Sequence, residues 1–326
     1  MYSLGNKFKK ALVTGGAGFI GSHIVEDLLG DGLEVISIDN YSAGKKENLA
    51  HLINWGQKFK EIKADVRDYK NLRPYLEGVD IVFHQAVSKN TICFKDPASD
   101  LEINALGTLN VLTAAREAGV KKFVHASTGS VYGDTRYYPS DEEHPLNPNS
   151  FYGVSKLAAE KYVRAFHHLY GMNVNILRYY HVFGPRQDYS DVGGVVSIFG
   201  RRAFQNLPLT IYGDGTQLRS FTFVKDVVNA NKFLALTDDV SGEAFNCASG
   251  VKVTIKELAD AILKYFGKET LPIEFQDWKP GDIKYFNVSH QKIADLGFKF
   301  QTSFEEGLAN TLEWIIGYLE SMKKYA

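Results

Sequence analysis

The turn after the first predicted strand constrains the fold most. Ala11-Leu12-Val13 leads through a glycine-rich segment, Thr14 to Gly21, into a predicted helix, Ser22 to Leu29. The spacing Gly16-x-Gly18-x-x-Gly21 lets the chain turn sharply and lets the backbone at a helix N-terminus approach a pyrophosphate. Strand, turn and helix in this order predict a dinucleotide-binding βαβ unit. A nucleoside-triphosphate P-loop is excluded, because Ser22-His23 stands where that motif needs Lys-Ser/Thr.

An acidic residue ends the second predicted strand. Asp39 follows Gly21 by 18 residues, close to the spacing of about 20 at which dinucleotide folds place the carboxylate that binds the adenosine ribose. A carboxylate at this position repels a 2′-phosphate. Asp39 therefore favours NAD over NADP, and we expect NAD as the cofactor.

The first half of the chain alternates short β-branched segments with longer amphipathic ones, which is the pattern of βαβ units on a parallel sheet. This pattern predicts an α/β fold with a Rossmann-type doubly wound parallel sheet. The predicted strands are 11–13, 34–38, 59–62, 79–83, 122–125 and 174–177, and the longest predicted helices are 97–118 and 152–170.

The pattern becomes irregular beyond Gly184, which indicates a smaller, mixed α/β C-terminal domain. We predict a dinucleotide-binding domain over residues 1–184 and a substrate domain over 185–326. The segments Thr222 to Leu236 and Glu243 to Cys247 could return to the main sheet.

Composition excludes several classes of protein. Thirty-seven basic and 38 acidic residues give a formal charge of -1, so no global field favours nucleic acid or an anionic membrane. Cys93 and Cys247 lack metal-like spacing, and the histidines form no metal-binding motif, so we expect no metal and buried, reduced thiols. No secretion signal and no run of about 18 apolar residues is found. We expect a soluble cytoplasmic protein.

A candidate catalytic pair lies on the second long helix. Tyr152 and Lys156 stand four residues apart and share one helix face. A nearby ammonium and the positive nicotinamide of bound NAD favour a phenolate, which can take a hydroxyl proton while the carbinol hydrogen leaves as hydride. Thr128, after the fifth strand, is our candidate for the hydroxyl that binds the reacting group. Taken alone, the pair also fits a solvated helix face, and Ser127 to Ser130 also fits a turn that caps backbone groups.

The chain resembles the extended short-chain dehydrogenase/reductase family, in its nucleotide-sugar epimerase/dehydratase branch, over nearly all 326 residues. The resemblance rests on the order of many motifs rather than on one. Besides the glycine turn and Tyr152-x-x-x-Lys156, they are Asp39-Asn40, Asp65-Val66-Arg67-Asp68, His84-Gln85-Ala86, Asn104, Ser127-Thr128, Val131-Tyr132-Gly133, Leu177-Arg178-Tyr179, Gly184-Pro185-Arg186-Gln187, Arg219-Ser220-Phe221 and Pro280-Gly281-Asp282.

The resemblance implies tightly held NAD that is recycled within each turnover, a nucleoside-diphosphate sugar bound by the C-terminal domain, and a homodimer formed through helices 97–118 and 152–170. It makes Tyr152 the base, Thr128 the partner of the hydroxyl being oxidised, and Lys156 the holder of the nicotinamide ribose. The implied cofactor-binding residues are Gly15, Gly18, Phe19, Ile20, Asp39, Asn40, Ser42, Gly44, Asp65, Val66, Gln85, Ala86, Lys89, Asn104, Ser127, Tyr152, Lys156 and Tyr179. The implied substrate-binding residues are Ser88, Thr128, His181, Val195, Val196, Thr210, Arg219, Lys279, Asp282 and Phe286.

The residues after Thr128 bear on the reaction. Sugar 4,6-dehydratases of this branch carry an acid and a base there, and uronate decarboxylases carry a glutamate. Gly129-Ser130 supplies neither. Oxidation at C4, rotation of the 4-keto sugar and return of the hydride need no further acid or base, so the resemblance implies a 4-epimerase.

Two positions bear on the sugar. Phe286 stands where a bulky residue excludes an N-acetyl group in the related hexose epimerases, and Asp188-Tyr189 replaces the Arg-Pro common in uronate epimerases. UDP-glucose/UDP-galactose is therefore the expected substrate. His181 replaces the usual asparagine, and either bonds a phosphate oxygen or marks another sugar. Lys279 replaces the commoner arginine and lacks its bidentate fork.

Alternatives stay open at this point. The chain could epimerise a UDP-N-acetylhexosamine or UDP-glucuronate, or act as a nucleotide-sugar dehydratase or reductase on the same scaffold. A catalytically silent NAD-binding member is the third alternative, and the presence of Thr128, Tyr152 and Lys156 speaks against it.

Overall fold

The computed structural model describes residues 2–88, 90–278 and 284–325. Strands are numbered in chain order as β1 (Lys10–Thr14), β2 (Glu34–Asp39), β3 (Phe59–Lys63), β4 (Ile81–His84), β5 (Lys122–Thr128), β6 (Val174–Tyr179), β7 (Val182–Phe183), β8 (Leu209–Tyr212), β9 (Leu218–Ser220), β10 (Thr222–Phe223), β11 (Ala244–Cys247), β12 (Lys252–Thr254) and β13 (Ile273–Gln276). Helices are α1 (Phe19–Gly30), α2 (Tyr69–Leu72), α3 (Asn90–Lys95), α4 (Pro97–Leu101), α5 (Gly107–Glu117), α6 (Phe151–Tyr170), α7 (Val195–Phe204), α8 (Val224–Leu236), α9 (Ile255–Tyr265), α10 (Gln291–Asp295) and α11 (Phe304–Tyr325).

The main sheet has seven parallel strands in the order β11-β6-β5-β4-β1-β2-β3. Six of them follow the doubly wound order 3-2-1-4-5-6, which confirms the predicted Rossmann-type sheet. Every residue of β4 is buried, and so are four of five in β1, as expected for central strands covered on both faces. Because the carboxyl ends of parallel strands meet at one edge, this order brings the ends of β1, β2, β4 and β5 together.

The chain divides into two compact units. The first comprises Met1–Thr135, Glu142–Tyr179 and Val227–Cys247, and the second comprises Arg136–Asp141, Tyr180–Asp226 and Ala248–Ala326. The second unit contains three two-stranded sheets, β10-β7, β12-β9 and β13-β8. The binding roles predicted for residues 1–184 and 185–326 stay predictions.

The two segments that could return to the main sheet behave differently. Ala244–Cys247 does return and pairs in parallel with β6. Thr222 to Leu236 adds no strand to the main sheet: Thr222–Phe223 pairs with β7 and the chain continues as α8, which from Val227 on belongs to the first unit. A helix was the better expectation there, because apolar residues recur three or four positions apart in 224–236.

The helix predicted over 97–118 is interrupted. The chain forms α4, a π-helical segment at Glu102–Leu106, and then α5. A π-helical turn inserts one residue into the helical repeat and shifts the faces that precede and follow it. Asn104 lies in this turn. In the parts of the chain that the structure describes, no helix is long and apolar enough to cross a bilayer.

Candidate active site

The turn between β1 and α1 is too tight for side chains. Gly15 has φ +64°, and a Cβ on it would lie 2.8 Å from the backbone nitrogen of Ala86. A Cβ on Gly21 would lie 2.1 Å from the Gly15 carbonyl oxygen. Gly18, the N-cap of α1, is extended and offers no side-chain cap, and the first turn carries no acidic residue. The first N–H groups of α1 therefore form a site for an anion, as predicted for a pyrophosphate.

Asp39 lies beside this turn at the end of β2. Its Oδ2 accepts a hydrogen bond from the Ala17 N–H at 3.0 Å, and its Oδ1 accepts one from the Tyr41 N–H at 2.8 Å. Burial raises the pKa of Asp39, and these backbone hydrogen bonds oppose the rise. Each carboxylate oxygen keeps a further lone pair for a ribose hydroxyl. A Cβ on Gly44 would lie 2.6 Å from Asp39 Oδ2, so this turn also passes close to the carboxylate.

A second acidic residue continues the same edge of the sheet. Asn40 Nδ2 donates to Asp65 Oδ2 at 2.8 Å, and Asn40 Oδ1 accepts from the Ser42 N–H at 2.9 Å. Arg67 donates from Nε and Nη2 to the two oxygens of Asp65, at 3.0 and 2.9 Å. The hydrogen bond from Arg67 lowers the pKa of Asp65 to about 2. Val66 is buried next to it.

The predicted catalytic residues lie on β5 and α6. Ser150 caps α6 by accepting from the Gly153 N–H, and this places Tyr152 in the first turn. The Thr128 side chain interacts with the Tyr152 hydroxyl and lowers its pKa. Thr128 also caps the following turn, since its Oγ1 accepts from the Ser130 N–H at 3.2 Å. Thr128 therefore caps the backbone of this turn and also interacts with Tyr152.

The pKa of Tyr152 is raised, mainly by burial. The Thr128 side chain lowers it, while Asp100 and Cys93 raise it further. The predicted effect of Lys156 on this pKa stays a prediction. The Lys156 ammonium donates to the Ala126 carbonyl oxygen at 2.5 Å, and burial lowers its own pKa to about 8.

A buried ion pair lies one turn further along α6. Glu160 accepts from Arg178 Nε at 3.0 Å and from Nη2 at 2.8 Å, and both side chains are 1% exposed. Ser127 donates to the same carboxylate at 2.5 Å, and Tyr132 accepts from Arg178 Nη1 at 2.7 Å. The network joins α6 to the end of β5 and to β6, and so fixes the strand that carries Thr128.

Two predicted cofactor residues meet beside the glycine turn. Tyr179 donates to Gln85 Oε1 at 3.2 Å and also bonds with Asn231, at 3.0 Å to Oδ1 and 2.8 Å from Nδ2. Gln85 Nε2 is buried and has no hydrogen-bond partner within the part of the chain that the structure describes. A Cβ on Gly15 would lie 2.9 Å from the Gln85 carbonyl carbon. The tight turn, the Asp39 carboxylate and this unsatisfied amide fit a dinucleotide cofactor, which would supply a polar partner at Gln85.

Asn104 and Ser88 both contact Asp100, which the sequence analysis did not identify. Both side chains hydrogen-bond to Asp100, which is 1% exposed, and Ser155 donates to the other oxygen of this carboxylate at 2.6 Å. The Ser88 hydroxyl is thus already engaged within the protein, and its substrate contact stays a prediction.

The second unit holds its own cluster of predicted residues. The rings of His181 and Phe286 are perpendicular, with centroids 4.7 Å apart, and the Arg219 guanidinium lies 5.3 Å from the Phe286 ring centroid. Burial and the charge of Arg219 lower the pKa of His181 to about 3. His181 is therefore neutral at pH 7 in these surroundings. Its Nδ1 is buried and has no hydrogen-bond partner among the described residues.

The remaining substrate-binding predictions lie elsewhere in the second unit or outside the described residues. Val195 and Val196 begin α7, and Thr210 lies on β8. Three predicted site residues fall outside the described residues, namely Lys89, Lys279 and Asp282.

Sequence reasoning missed Asp100, Ser155 and Glu160. A signal for Asp100 was present, because residues 100, 104 and 108 are spaced by four on one helix face, and Asn104 was already a candidate. A signal for Glu160 was also present, because residues 152, 156 and 160 are spaced by four on one face of α6. In both cases the polar partner comes from a distant segment, which one sequence cannot reveal.

The fold and the glycine turn define an NAD-binding α/β enzyme. Residues 11–248 match the model of the NAD dependent epimerase/dehydratase family, and the chain belongs to this family. A putative UDP-glucose 4-epimerase from Methanocaldococcus jannaschii is 38% identical over 308 residues, 93% of this chain and 97% of the relative. UDP-glucuronic acid decarboxylase 1 from Arabidopsis thaliana is 38% identical over 312 residues, 94% of this chain and 69% of the relative.

Solved structures agree with this assignment. The UDP-N-acetylglucosamine 4-epimerase from Methanobrevibacter ruminantium, in complex with UDP-N-acetylmuramic acid, matches with a TM-score of 0.90 at 34% identity, over 96% of this chain and 99% of that one. The Thermus thermophilus UDP-glucose 4-epimerase, in complex with NAD, matches with a TM-score of 0.85 at 36% identity, over 94% and 99%. NAD is therefore the cofactor, and the chain is an NAD-dependent nucleotide-sugar enzyme.

Proposed function

We propose that the chain is a nucleotide-sugar 4-epimerase and that it interconverts UDP-glucose and UDP-galactose. The observation that carries the proposal is the interaction of the Thr128 side chain with Tyr152, which lowers the pKa of the phenol, with Gly129 and Ser130 following Thr128. A base and a hydroxyl partner suffice for epimerisation, whereas loss of water or of carbon dioxide needs additional acid–base groups.

The surroundings of Tyr152 support this choice. Among the described groups that shift its pKa, Asp100 has the one carboxylate. That carboxylate is buried and accepts hydrogen bonds from Ser88, Asn104 and Ser155. A carboxylate held in this way is poorly placed to act as the second acid or base of a dehydratase. Decarboxylation is also disfavoured, because Gly129-Ser130 lacks the glutamate that the related uronate decarboxylases carry after this threonine.

Each of the three site residues has a separate role in the reaction. Thr128 binds the sugar C4 hydroxyl, and Tyr152 accepts its proton as the C4–H bond breaks. Bound NAD supplies the hydride acceptor in the first half of the reaction and the hydride donor in the second. Tyr152 returns the proton to the C4 oxygen after the 4-keto sugar has rotated, so no net oxidation occurs. Lys156 holds the nicotinamide ribose.

The cluster in the second unit supports a hexose without an N-acetyl group. Phe286 is held edge-on to His181 and next to the Arg219 guanidinium, so its ring cannot move aside freely to enlarge the sugar pocket. The cation beside it suits a diphosphate. The structural relative that acts on UDP-N-acetylglucosamine makes the hexosamine the main competing substrate.

The test is incubation of the purified protein with UDP-glucose, UDP-N-acetylglucosamine or UDP-glucuronate, with and without added NAD, followed by NMR of the sugar protons. We expect the C4 epimer of UDP-glucose to form fastest, with no net NADH. Net NADH, a 4-keto product or carbon dioxide would contradict the proposal.

Phe286→Ala tests the substrate assignment separately. The smaller side chain should raise kcat/KM for UDP-N-acetylglucosamine relative to UDP-glucose by about tenfold, the effect of relieving a clash in a hydrophobic pocket. Tyr285→Ala is the matched control, because that neighbouring aromatic residue is 47% exposed. An unchanged ratio in Phe286→Ala would remove Phe286 from the sugar pocket.

We also propose a homodimer and a cytoplasmic location. Neither Cys93 nor Cys247 forms a disulfide, and both are buried, which suits a reducing compartment. Apolar side chains on the helices predicted to form the dimer are exposed, namely Leu101, Leu106, Phe151, Val154, Tyr162 and Leu169.

A further inference from the structure

The buried carboxylate of Asp100 on α4 has no role in the reaction described above. Its Oδ2 accepts from Ser155 Oγ at 2.6 Å, and its Oδ1 accepts from Asn104 Nδ2 at 2.9 Å and from the Ser88 hydroxyl. Among the described side chains, every donor to it is neutral. Neutral donors satisfy the hydrogen bonds that a buried carboxylate needs and leave its negative charge uncompensated at short range.

Hydrogen-bond directions show that the cluster is built around Asp100. Asn104 Oδ1 accepts from the Ser88 N–H at 3.0 Å, which fixes the orientation of the amide. The Asn104 NH₂ group then donates to Ser155 Oγ at 2.9 Å and to Ser88 Oγ at 3.1 Å. The two protons of this NH₂ group are shared among the two serine oxygens and Asp100 Oδ1. Neither serine hydroxyl can donate back to the NH₂ group, so the carboxylate is the strongest acceptor within reach of both.

Ser155 connects this cluster to the redox site. It lies on α6 between Tyr152 and Lys156, and its hydroxyl is also 3.1 Å from the Tyr152 carbonyl oxygen. We propose that Asp100 is a positioning residue of the active site: through Ser155 it fixes the turn of α6 that carries Tyr152 and Lys156, and it places beside that turn a buried carboxylate with no cationic partner among the described side chains. The kinetic part of this inference rests on the proposed function.

The electrostatics around Lys156 agree with the geometry. Burial lowers the pKa of Lys156 to about 8, and Glu160 and Asp100 both raise it. Glu160 shares its carboxylate with Arg178 in a two-bond ion pair, so much of its charge is compensated locally. Asp100 has the smaller of these two effects on the pKa, but its carboxylate has no cationic partner among the described side chains.

Other titratable groups face the same site from β4 and β5. His84 and His125 both interact with Lys156, and burial lowers the pKa of His84 to about 3 and that of His125 well below its ordinary value. Both histidines are therefore neutral at pH 7. On the Tyr152 side, Cys93 and Thr128 are the other groups that shift its pKa.

The experiment is an NMR titration of the protein labelled with [ε-¹³C]lysine, in the wild type and in Asp100→Asn. The Lys156 signal is assigned with Lys156→Met. We expect its titration midpoint to fall by about half a pH unit or more in Asp100→Asn, because a nearby negative charge favours the protonated amine. This readout needs neither substrate nor turnover, so it is independent of whether the chain acts on UDP-glucose.

Two controls accompany the titration. Burial also lowers the pKa of Lys122 to about 8, and its charged neighbours are Asp238 and Lys7, so its midpoint should not move. Asp96→Asn removes a charge from the same helix four residues earlier, at an exposed N-cap where Asn is equally suitable. It should leave Lys156 unchanged. If Asp100→Asn does not fold, Asp100→Ser is titrated in its place.

Ser155→Ala tests the positioning step with the charge retained. We expect kcat for UDP-galactose to fall about tenfold with little change in KM, because misplacing catalytic groups slows the chemical step, and we expect the Lys156 midpoint to stay constant. An unchanged midpoint in the neutral Asp100 variants would overturn the electrostatic role, and wild-type kcat in Ser155→Ala would overturn the positioning role. If the wild type turns over none of the sugars, the proposed function fails while the titration still decides the role of Asp100.

Discussion

At Tyr152, two environmental effects oppose each other. Burial raises the pKa of the phenol, and the Thr128 side chain lowers it. A base in this position must lose its proton only when the reaction requires it. A positive group close to the phenol lowers its pKa, and the nicotinamide of NAD is such a group. Deprotonation of Tyr152 would then be favoured only when NAD is bound.

Tyr152→Phe should retain the fold and NAD binding but lose turnover. The phenol hydroxyl is the proton acceptor, and loss of a general base costs about a hundredfold to ten-thousandfold in rate. The measurement is kcat for the UDP-sugar, together with NAD content and the thermal unfolding midpoint. Tyr162→Phe on the same helix, at a 42% exposed position, is the matched control. Wild-type kcat in Tyr152→Phe would remove this residue from the mechanism.

Asp39→Ala should weaken the preference for NAD over NADP. The Asp39 carboxylate is held by the backbone N–H groups of Ala17 and Tyr41, where it repels a 2′-phosphate. Dissociation constants for both cofactors are measured by titration calorimetry. Asp39→Asn, which keeps the shape and removes the charge, separates repulsion from packing. An unaltered ratio of the two constants in both variants would contradict the ribose-binding role of Asp39.

Sequence alone predicted the site residues that carry a spacing signal. The glycine turn, Asp39, Thr128 and the pair Tyr152 and Lys156 could be identified because each follows a strand or repeats on one helix face. Asp100 carries only a weak spacing signal relative to Asn104, because its other partners, Ser88 and Ser155, are brought to it by the folded chain.

At the level of elements, the sheet was predictable and one helix was not. Strand positions follow from short β-branched runs, and the order of β3-β2-β1-β4-β5-β6 follows from right-handed crossovers. The π-helical turn at Glu102–Leu106 leaves no comparable trace in periodicity. It places Asn104 in the Asp100 cluster, whereas an uninterrupted α-helix would shift the register of the residues that follow.

The ion pair between Glu160 on α6 and Arg178 on β6 gives a test at this level. Arg178→Met should lower the free energy of unfolding by about 3–5 kcal/mol, because it leaves a buried carboxylate without its cation. The double variant Glu160→Met/Arg178→Met should recover much of this loss, since neither charge is then buried alone. Urea denaturation of the single and double variants checks both values. Equal stability of Arg178→Met and the wild type would mean that the pair contributes little to joining α6 and β6.

For the whole molecule, the proposed homodimer is tested through α6. Its twenty residues give α6 a length of about 30 Å. A patch of this length and similar width has about the 800 Å² that each partner buries in a stable interface. Tyr162 and Leu169 are two helical turns apart on the same face and are 42% and 68% exposed. Burial of such side chains against a second copy would remove apolar surface from water.

Tyr162→Arg/Leu169→Arg should therefore convert the dimer into a monomer, because two charges on each copy would be buried in the interface without partners. Sedimentation velocity should give twice the mass of the 36.5 kDa chain for the wild type and one chain mass for the variant. Leu207→Arg, at an exposed leucine of the second unit, should remain dimeric. A dimeric double variant would place the interface elsewhere, and a monomeric wild type would contradict the dimer itself. NAD content should be equal in all three proteins, because the glycine turn, Asp39 and Gln85 all lie within the first unit of a single chain.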